Sequence, residues 1–345
     1  KLLIILSVLF LFGCELNDFD KPGNLVPKTV EQDPDLPSIY INGTLLHAET
    51  FGDINNPIII FLHGGPVSDY RSMISEKGVE NASRYPDERT ITNGGLSQLQ
   101  DEYYCVFYDK RGGGLSPRFD QGKVTFDILL EDLNQIIDYY LQKKEDETGI
   151  TESQIYLMGW SYGGILATGY INEYPSKIKD VVLYEPGPLA KDVWEYFMDE
   201  MSSVFGQIGN DWLEEFLLSQ DHITPDSHER ADYQYMLLPA SSPGSQPEFH
   251  ADPNAPLWRS GALVSDDNLD FMESDNYDIT SNLFAFSGNM LFIGSDKVIA
   301  EIPEYPGLQM NYYPQSELAT VAGVGHTGPW EKSGEVAALI RNFFK

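Results

Sequence analysis

The sequence predicts an α/β protein: a mostly parallel sheet with helices on both faces and a cap inserted late in the chain. Three observations lead there. Short, unbroken apolar runs alternate with longer amphipathic segments, the pattern left by strands that are buried on both faces. The gaps between runs carry helical spacing and helix-capping residues. One gap, residues 187–288, is far too long for a simple crossover and breaks the rhythm.

Taken in order, residues 38–51 should form an antiparallel edge hairpin about Asn42-Gly43, a dipeptide suited to a two-residue turn. Strands are expected at residues 58–62, 103–108, 155–158, 181–184, 290–293 and 318–321. Thr125 can cap a helix whose apolar stripe is Ile128, Leu129, Leu133, Ile136, Ile137 and Tyr140. A last helix closes the chain through Val336, Leu339, Ile340 and Phe343. Residues 75–95 are polar and without period, as in a surface excursion or a short helix. The long interruption opens with helical spacing at Val193, Trp194, Phe197 and Met201 and turns rich in Pro, Ser and Asp at residues 239–256. Set between two strands, it would cover the strand ends, shape a pocket and exclude water. The core is therefore expected in residues 38–186 and 289–345, with the cap in 187–288.

Composition narrows the partners. The chain has 345 residues, 42% of them apolar, which is ample for a large globular core. Its 53 acidic side chains against 22 basic ones give a surface that repels nucleic-acid phosphates and anionic headgroups. Residues 1–13 read as a secretion signal: a cationic start, then an apolar run too short to span a bilayer. Leu11-Phe12-Gly13-Cys14 resembles the lipobox of bacterial lipoproteins, with Phe12 bulkier than usual, and implies lipidation of Cys14 and a lipid-anchored place in the cell envelope, periplasmic or at the outer surface. Residues 14–37, polar and punctuated by four prolines, read as a tether. Some 20 extended residues reach up to about 70 Å. Cys105, inside an apolar run, is expected to be a buried, inert thiol. The acceptor tripeptides at Asn42 and Asn81 carry no assigned function.

The chemistry centres on Gly159-Trp160-Ser161-Tyr162-Gly163, between an apolar run and a helix-like stretch. A strand that turns sharply into a helix holds its central serine in a strained backbone with the hydroxyl exposed. A serine needs a base and a group that orients the base. Of six histidines, His326 alone follows a strand and precedes the last helix. The orienting acid should leave the sheet between nucleophile and base, which selects Asp296, with Glu185 in reserve at the end of the neighbouring strand. Two backbone N–H groups should hold the oxyanion: Tyr162 at the helix start and Gly65 in His63-Gly64-Gly65-Pro66. His63 is then a loop brace, and His47, His222, His228 and His250 are structural. No His/Cys/Asp cluster has metal-ligand spacing, so neither metal nor cofactor is expected.

These motifs, together with Asp109-Lys110-Arg111-Gly112-Gly113-Gly114-Leu115-Ser116, resemble the α/β-hydrolase superfamily, and within it the proline iminopeptidase branch of serine peptidases. The likeness covers about residues 40–185 and 288–345. It implies that Asp109 and Arg111 organise loops and stand outside the triad. It also implies cap glutamates for the substrate's amino group; Glu195, Glu200, Glu214, Glu215 and Glu229 are available, and none aligns with the branch's pattern. Superfamily members commonly place two residues between a post-strand glycine and the acid, whereas Gly294-Ser295-Asp296 has one. A serine nucleophile argues against the epoxide hydrolases and dehalogenases of this fold, which use aspartate. The expected function is hydrolysis of a small ester, amide or short peptide through an acyl-enzyme, foremost as an aminopeptidase of iminopeptidase type. The alternatives are a carboxylesterase and a binding lipoprotein that kept the fold without catalysis.

Overall fold

The computed structural model describes residues 21–78, 94–205, 224, 226–241, 250–252, 254–275, 277–313 and 315–345. The leader, Cys14, the tripeptide at Asn81, His222, Glu214 and Glu215 lie outside them.

Among the described residues eight strands form one sheet in the order β1-β2-β4-β3-β5-β6-β7-β8. They are β1 (Ser38–Ile41), β2 (Thr44–Phe51), β3 (Ile58–Leu62), β4 (Tyr104–Tyr108), β5 (Ile155–Trp160), β6 (Asp180–Tyr184), β7 (Met290–Ser295) and β8 (Ser316–Val321). β2 pairs antiparallel with both β1 and β4, and all other pairs are parallel. The hairpin turns at Asn42 and Gly43 with φ of 45° and 79°, the two positive values that a type I′ turn requires. β8 begins two residues before its apolar run because it is an edge strand, half exposed, and its first residues Ser316 and Glu317 need not be apolar.

Among the described residues the longer helices are α1 (Phe126–Thr148), α2 (Tyr162–Glu173), α3 (Lys191–Phe205), α4 (Ser227–Ser241), α5 (Ser265–Glu273), α6 (Asp296–Glu301), α7 (Tyr305–Met310) and α8 (Ser333–Phe343), with single helical turns at Arg71–Ile74 and Gly328–Glu331 and a 3-10 helix at Gly95–Asp101. Thr125 caps α1 by accepting from the Ile128 N–H, and Gly149 ends it in the left-handed conformation. Strand alternation divides the core in two. Ile58, Ile60, Val106 and Leu157 face α1 and α2, whereas Ile59, Phe61, Cys105 and Met158 face α8 and the 3-10 helix. Burial on both sides explains why the central strands read as unbroken apolar runs. It also pushes the Cys105 thiol well above its ordinary range, which keeps it inert.

The described part of the expected tether, residues 21–37, is not a solvated spacer. Val26, Val30 and Leu36 are buried, and the Val30 N–H donates to the Leu115 carbonyl at 2.9 Å. Three apolar side chains spaced among prolines were too sparse to show a period, yet sufficient to seat the segment on the body.

Candidate active site

Ser161 stands between β5 and α2 with φ 55° and ψ −119°, the conformation that a type II′ turn normally reserves for glycine. Backbone bonds enforce it. The Ser161 N–H donates to the Tyr184 carbonyl at 3.0 Å, while the Ser161 carbonyl accepts from Gly164 at 2.8 Å and Gly187 at 3.0 Å. The flanking glycines are steric requirements: a Cβ on Gly163 would collide with the Leu62 carbonyl, and one on Gly159 with the Gly163 carbonyl. Each approach is possible only without a side chain, which is why the motif places glycine two residues to either side of the serine.

His326 lies in the loop after β8. That loop is drawn over the sheet by Trp160, whose indole N–H donates to the His326 carbonyl at 2.9 Å, and by Tyr184, whose hydroxyl donates to the Gly325 carbonyl at 2.9 Å. The carboxylate on the imidazole belongs to Glu185, with Oε2 2.8 Å from His326 Nδ1. The other oxygen, Oε1, accepts from the Ser295 N–H at 2.6 Å. Asp296, expected to be that partner, is placed elsewhere: its two oxygens accept from the Gly323 N–H at 2.8 and 2.9 Å. The reason is local. Ser295 completes β7 and caps α6 through the Val298 N–H, so Asp296 is already the first helical residue and its side chain is exposed at the outer end of the loop. Glu185 leaves β6, next to the strand that ends at Ser161, in a positive-φ conformation of 39° that turns its side chain toward the imidazole.

The loop after β3 carries Gly65 at φ +60°, with Ser68 packed under it so closely that a Cβ on Gly65 would lie 3.0 Å from the Ser68 Cβ. A Cβ on Gly64 would lie 3.3 Å from the Ser161 Cβ, so this loop passes directly beside the serine. Tyr162 is the first residue of α2, and the N-terminal N–H groups of a helix point out of its end. His63 is fully buried and braces the loop: Nδ1–H donates to the Gly64 carbonyl at 2.8 Å, and Nε2 accepts from the Lys110 N–H at 3.3 Å. Burial, then the neighbouring Lys110 charge, holds its imidazole well below the ordinary 6.5, in the neutral form that this bonding needs. Asp109 and Arg111 also organise loops. Asp109 accepts from His47 Nδ1 at 2.8 Å and from the Leu115 and Tyr70 N–H groups, and Arg111 forks onto Asp132 at 2.8 and 2.6 Å.

Ser161, Tyr162, Gly65, Glu185 and His326 line one cavity of about 410 Å³ under α3. Its walls are overwhelmingly apolar: Trp194, Phe197 and Met198 from α3, Val298 from α6, Ile302 just after it, and Tyr305 from α7. Among the described residues its carboxylates are Glu185, against His326, and Glu273, at the end of α5.

Residues 97–238 match a family model described as serine aminopeptidase, S33. A probable aminopeptidase, YbaC, of Bacillus subtilis (strain 168) is 27% identical over 125 residues, 36% of this chain and 32% of that protein, so the chain spans about a third of its length. The proline iminopeptidase PfmaB of Pestalotiopsis fici is 23% identical over 306 residues, 88% of this chain and 97% of that one. Among solved structures, an epoxide hydrolase from Bacillus megaterium superposes with a TM-score of 0.55 at 17% identity, covering 89% of this chain and 99% of that one. The fold is the α/β-hydrolase fold. With the family match it supports a hydrolytic enzyme.

Within this α/β-hydrolase fold the structure brings Ser161, His326, Gly65 and Tyr162 to one cavity and places Asp296 outside it. Of the glutamates considered for the cap, Glu229 is buried and accepts from Gln32, away from the cavity. Glu273 went unnoticed because it ends an acidic stretch with no periodic signal and comes to the cavity only through the packing of α5. Asp69 carries no sequence signal either, because its partners are backbone groups, which leave no trace in sequence.

Proposed function

We propose that the chain is a serine hydrolase that cleaves a small, largely apolar ester or amide through an acyl-enzyme. The observation that carries this is the His326–Glu185 pair at 2.8 Å, lining the same apolar cavity as a serine held in the strained elbow conformation. In the mechanism Ser161 Oγ attacks the carbonyl carbon and passes its proton to His326 Nε2. The Nδ1–H donates to Glu185, which fixes the tautomer and stabilises the imidazolium. The Gly65 and Tyr162 N–H groups hold the oxyanion. The imidazolium then protonates the leaving group, and water activated by His326 releases the acid.

Within that class the preferred reading is an aminopeptidase of iminopeptidase type. The partial family match supports it, and so does Glu273, a carboxylate at the cavity wall able to face a substrate ammonium. The apolar walls favour a second reading, a carboxylesterase. Hydrolysis of short-chain aryl esters should be measured beside that of prolyl and other aminoacyl anilides, with Ser161→Ala as the blank. Turnover of esters alone removes the peptidase reading. A fluorophosphonate that fails to label folded wild-type protein removes catalysis altogether and leaves a binding protein. Activity should survive a chelator.

We further propose lipidation at Cys14, on the strength of the lipobox-like segment alone. Cys14→Ala should release the protein from the membrane fraction of bacterial cells, and unchanged fractionation would refute the anchor.

A further inference from the structure

Asp69 closes the loop that carries Gly65, and it is 2% exposed. Its Oδ1 accepts from the N–H of Arg71, which opens the helical turn after the loop, at 3.0 Å, while its Oδ2 accepts from the Trp258 and Arg259 N–H groups at 2.6 and 2.9 Å. Trp258 and Arg259 belong to the segment by which the chain returns from the cap helix α4 to α5. The same segment makes a second bond to the loop, from the Gly261 N–H to the Val67 carbonyl at 3.0 Å. It cannot slide inward, because a Cβ on Gly261 would already collide with the Gly112 carbonyl. Three buried N–H groups from two chain segments converge on one side chain, and a carboxylate is the side chain with lone pairs enough to accept all three.

The return segment is itself fixed. The Arg259 side chain, 1% exposed, donates from Nε to Asp232 Oδ2 on α4 at 2.6 Å and from Nη1 to the Pro27 carbonyl at 2.7 Å. Asp232 also accepts from Arg118 at 2.7 Å, and Arg118 donates to the Ser116 and Gly114 carbonyls at 2.7 Å each. Residues 258–261 thus join the cap helix, the N-terminal segment and the loop beside Ser161, and Asp69 is where that join meets the loop.

We propose that Asp69 is a positioning residue for the hydrolysis: by fastening the cap's return segment to the loop of residues 63–70, it sets the direction of the Gly65 N–H toward the oxyanion. The proposal rests on the serine-hydrolase reading above. Gly65 is four residues from Asp69 and holds a φ of +60° that favours glycine, so a loop freed at Asp69 relaxes at this residue first. The effect belongs to the charge that develops on the substrate oxygen and not to ground-state binding.

The test uses the full chain, wild type and Asp69→Asn, with Asp69→Ser as a second variant whose hydroxyl can serve one segment only. Readouts are kcat, KM, melting temperature and the inhibition constant of a trifluoromethyl ketone shaped like the best substrate. That ketone adds Ser161 Oγ to its carbonyl carbon, its π electrons become the oxyanion, and the serine proton goes to His326. The expected result in folded variant is a roughly 10- to 100-fold fall in kcat, KM within about threefold, and ketone affinity lost by the same factor as kcat. A lower melting temperature with kcat and ketone affinity unchanged overturns the proposal and makes Asp69 a structural tie. Wild-type protein without Ser161-dependent turnover or labelling overturns the site reading itself, a failure visible before any Asp69 variant is measured.

Discussion

Glu185 and Asp296 leave neighbouring strands of one sheet, β6 and β7, and both bond the loop that follows β8, yet they grip opposite ends of it. Asp296 holds the loop's entry at Gly323, and Glu185 holds its functional end at His326. Chain order would accept either residue as the acid. What separates them is reach and starting point: Glu185 has one more methylene and begins beside the strand that leads into Ser161, whereas Asp296 is drawn into the first turn of α6. Which part of the loop a strand-end carboxylate reaches therefore depends on where the next helix begins.

The largest effect sets the scale for this comparison. Ser161→Ala should lower kcat by about 10⁶-fold, as loss of a triad nucleophile does, measured on the best ester or anilide. Glu185→Gln should keep the fold and cost about 10³- to 10⁴-fold in kcat, because an amide facing Nδ1 favours the wrong tautomer. Asp296→Asn should cost less than about tenfold, with about 1 kcal/mol or less of stability, since one oxygen still accepts from Gly323. If Asp296→Asn instead fell as far as Glu185→Gln, the acid would have been misassigned. The smallest effect concerns the brace. Because the His63 pKa is held below its ordinary 6.5, the unfolded chain binds the proton more readily. Its contribution to stability is complete above that value and is lost as pH falls through and below it. His63→Asn should flatten the fall in denaturant midpoint between about pH 7 and pH 5, and an unchanged slope would assign that fall to other groups.

Much of this was legible in the chain. The central strands appeared because burial on both faces removes every polar position, and the elbow appeared because its glycines answer to collisions that no other residue escapes. The hairpin appeared because Asn42-Gly43 supplies two positive φ values in a row. The packing of residues 21–37 is not legible in the sequence because Val26, Val30 and Leu36 are isolated apolar residues whose burial depends on a surface made elsewhere. Asp69, Arg259 and Asp232 carry no pattern, since they act on backbone groups brought near by long connections.

The sequence by itself determined the sheet, the serine elbow and the histidine of the loop after β8, because each is written in local constraints: apolar runs, steric need for glycine, and a histidine set between strand and helix. The tertiary structure alone decided which carboxylate meets the imidazole, which residues of α3 and α5 line the cavity and which bonds tie residues 258–261 to the loop beside the serine. Those depend on side-chain reach across strands that are neighbours in space and distant in the chain, a distance that no local pattern encodes.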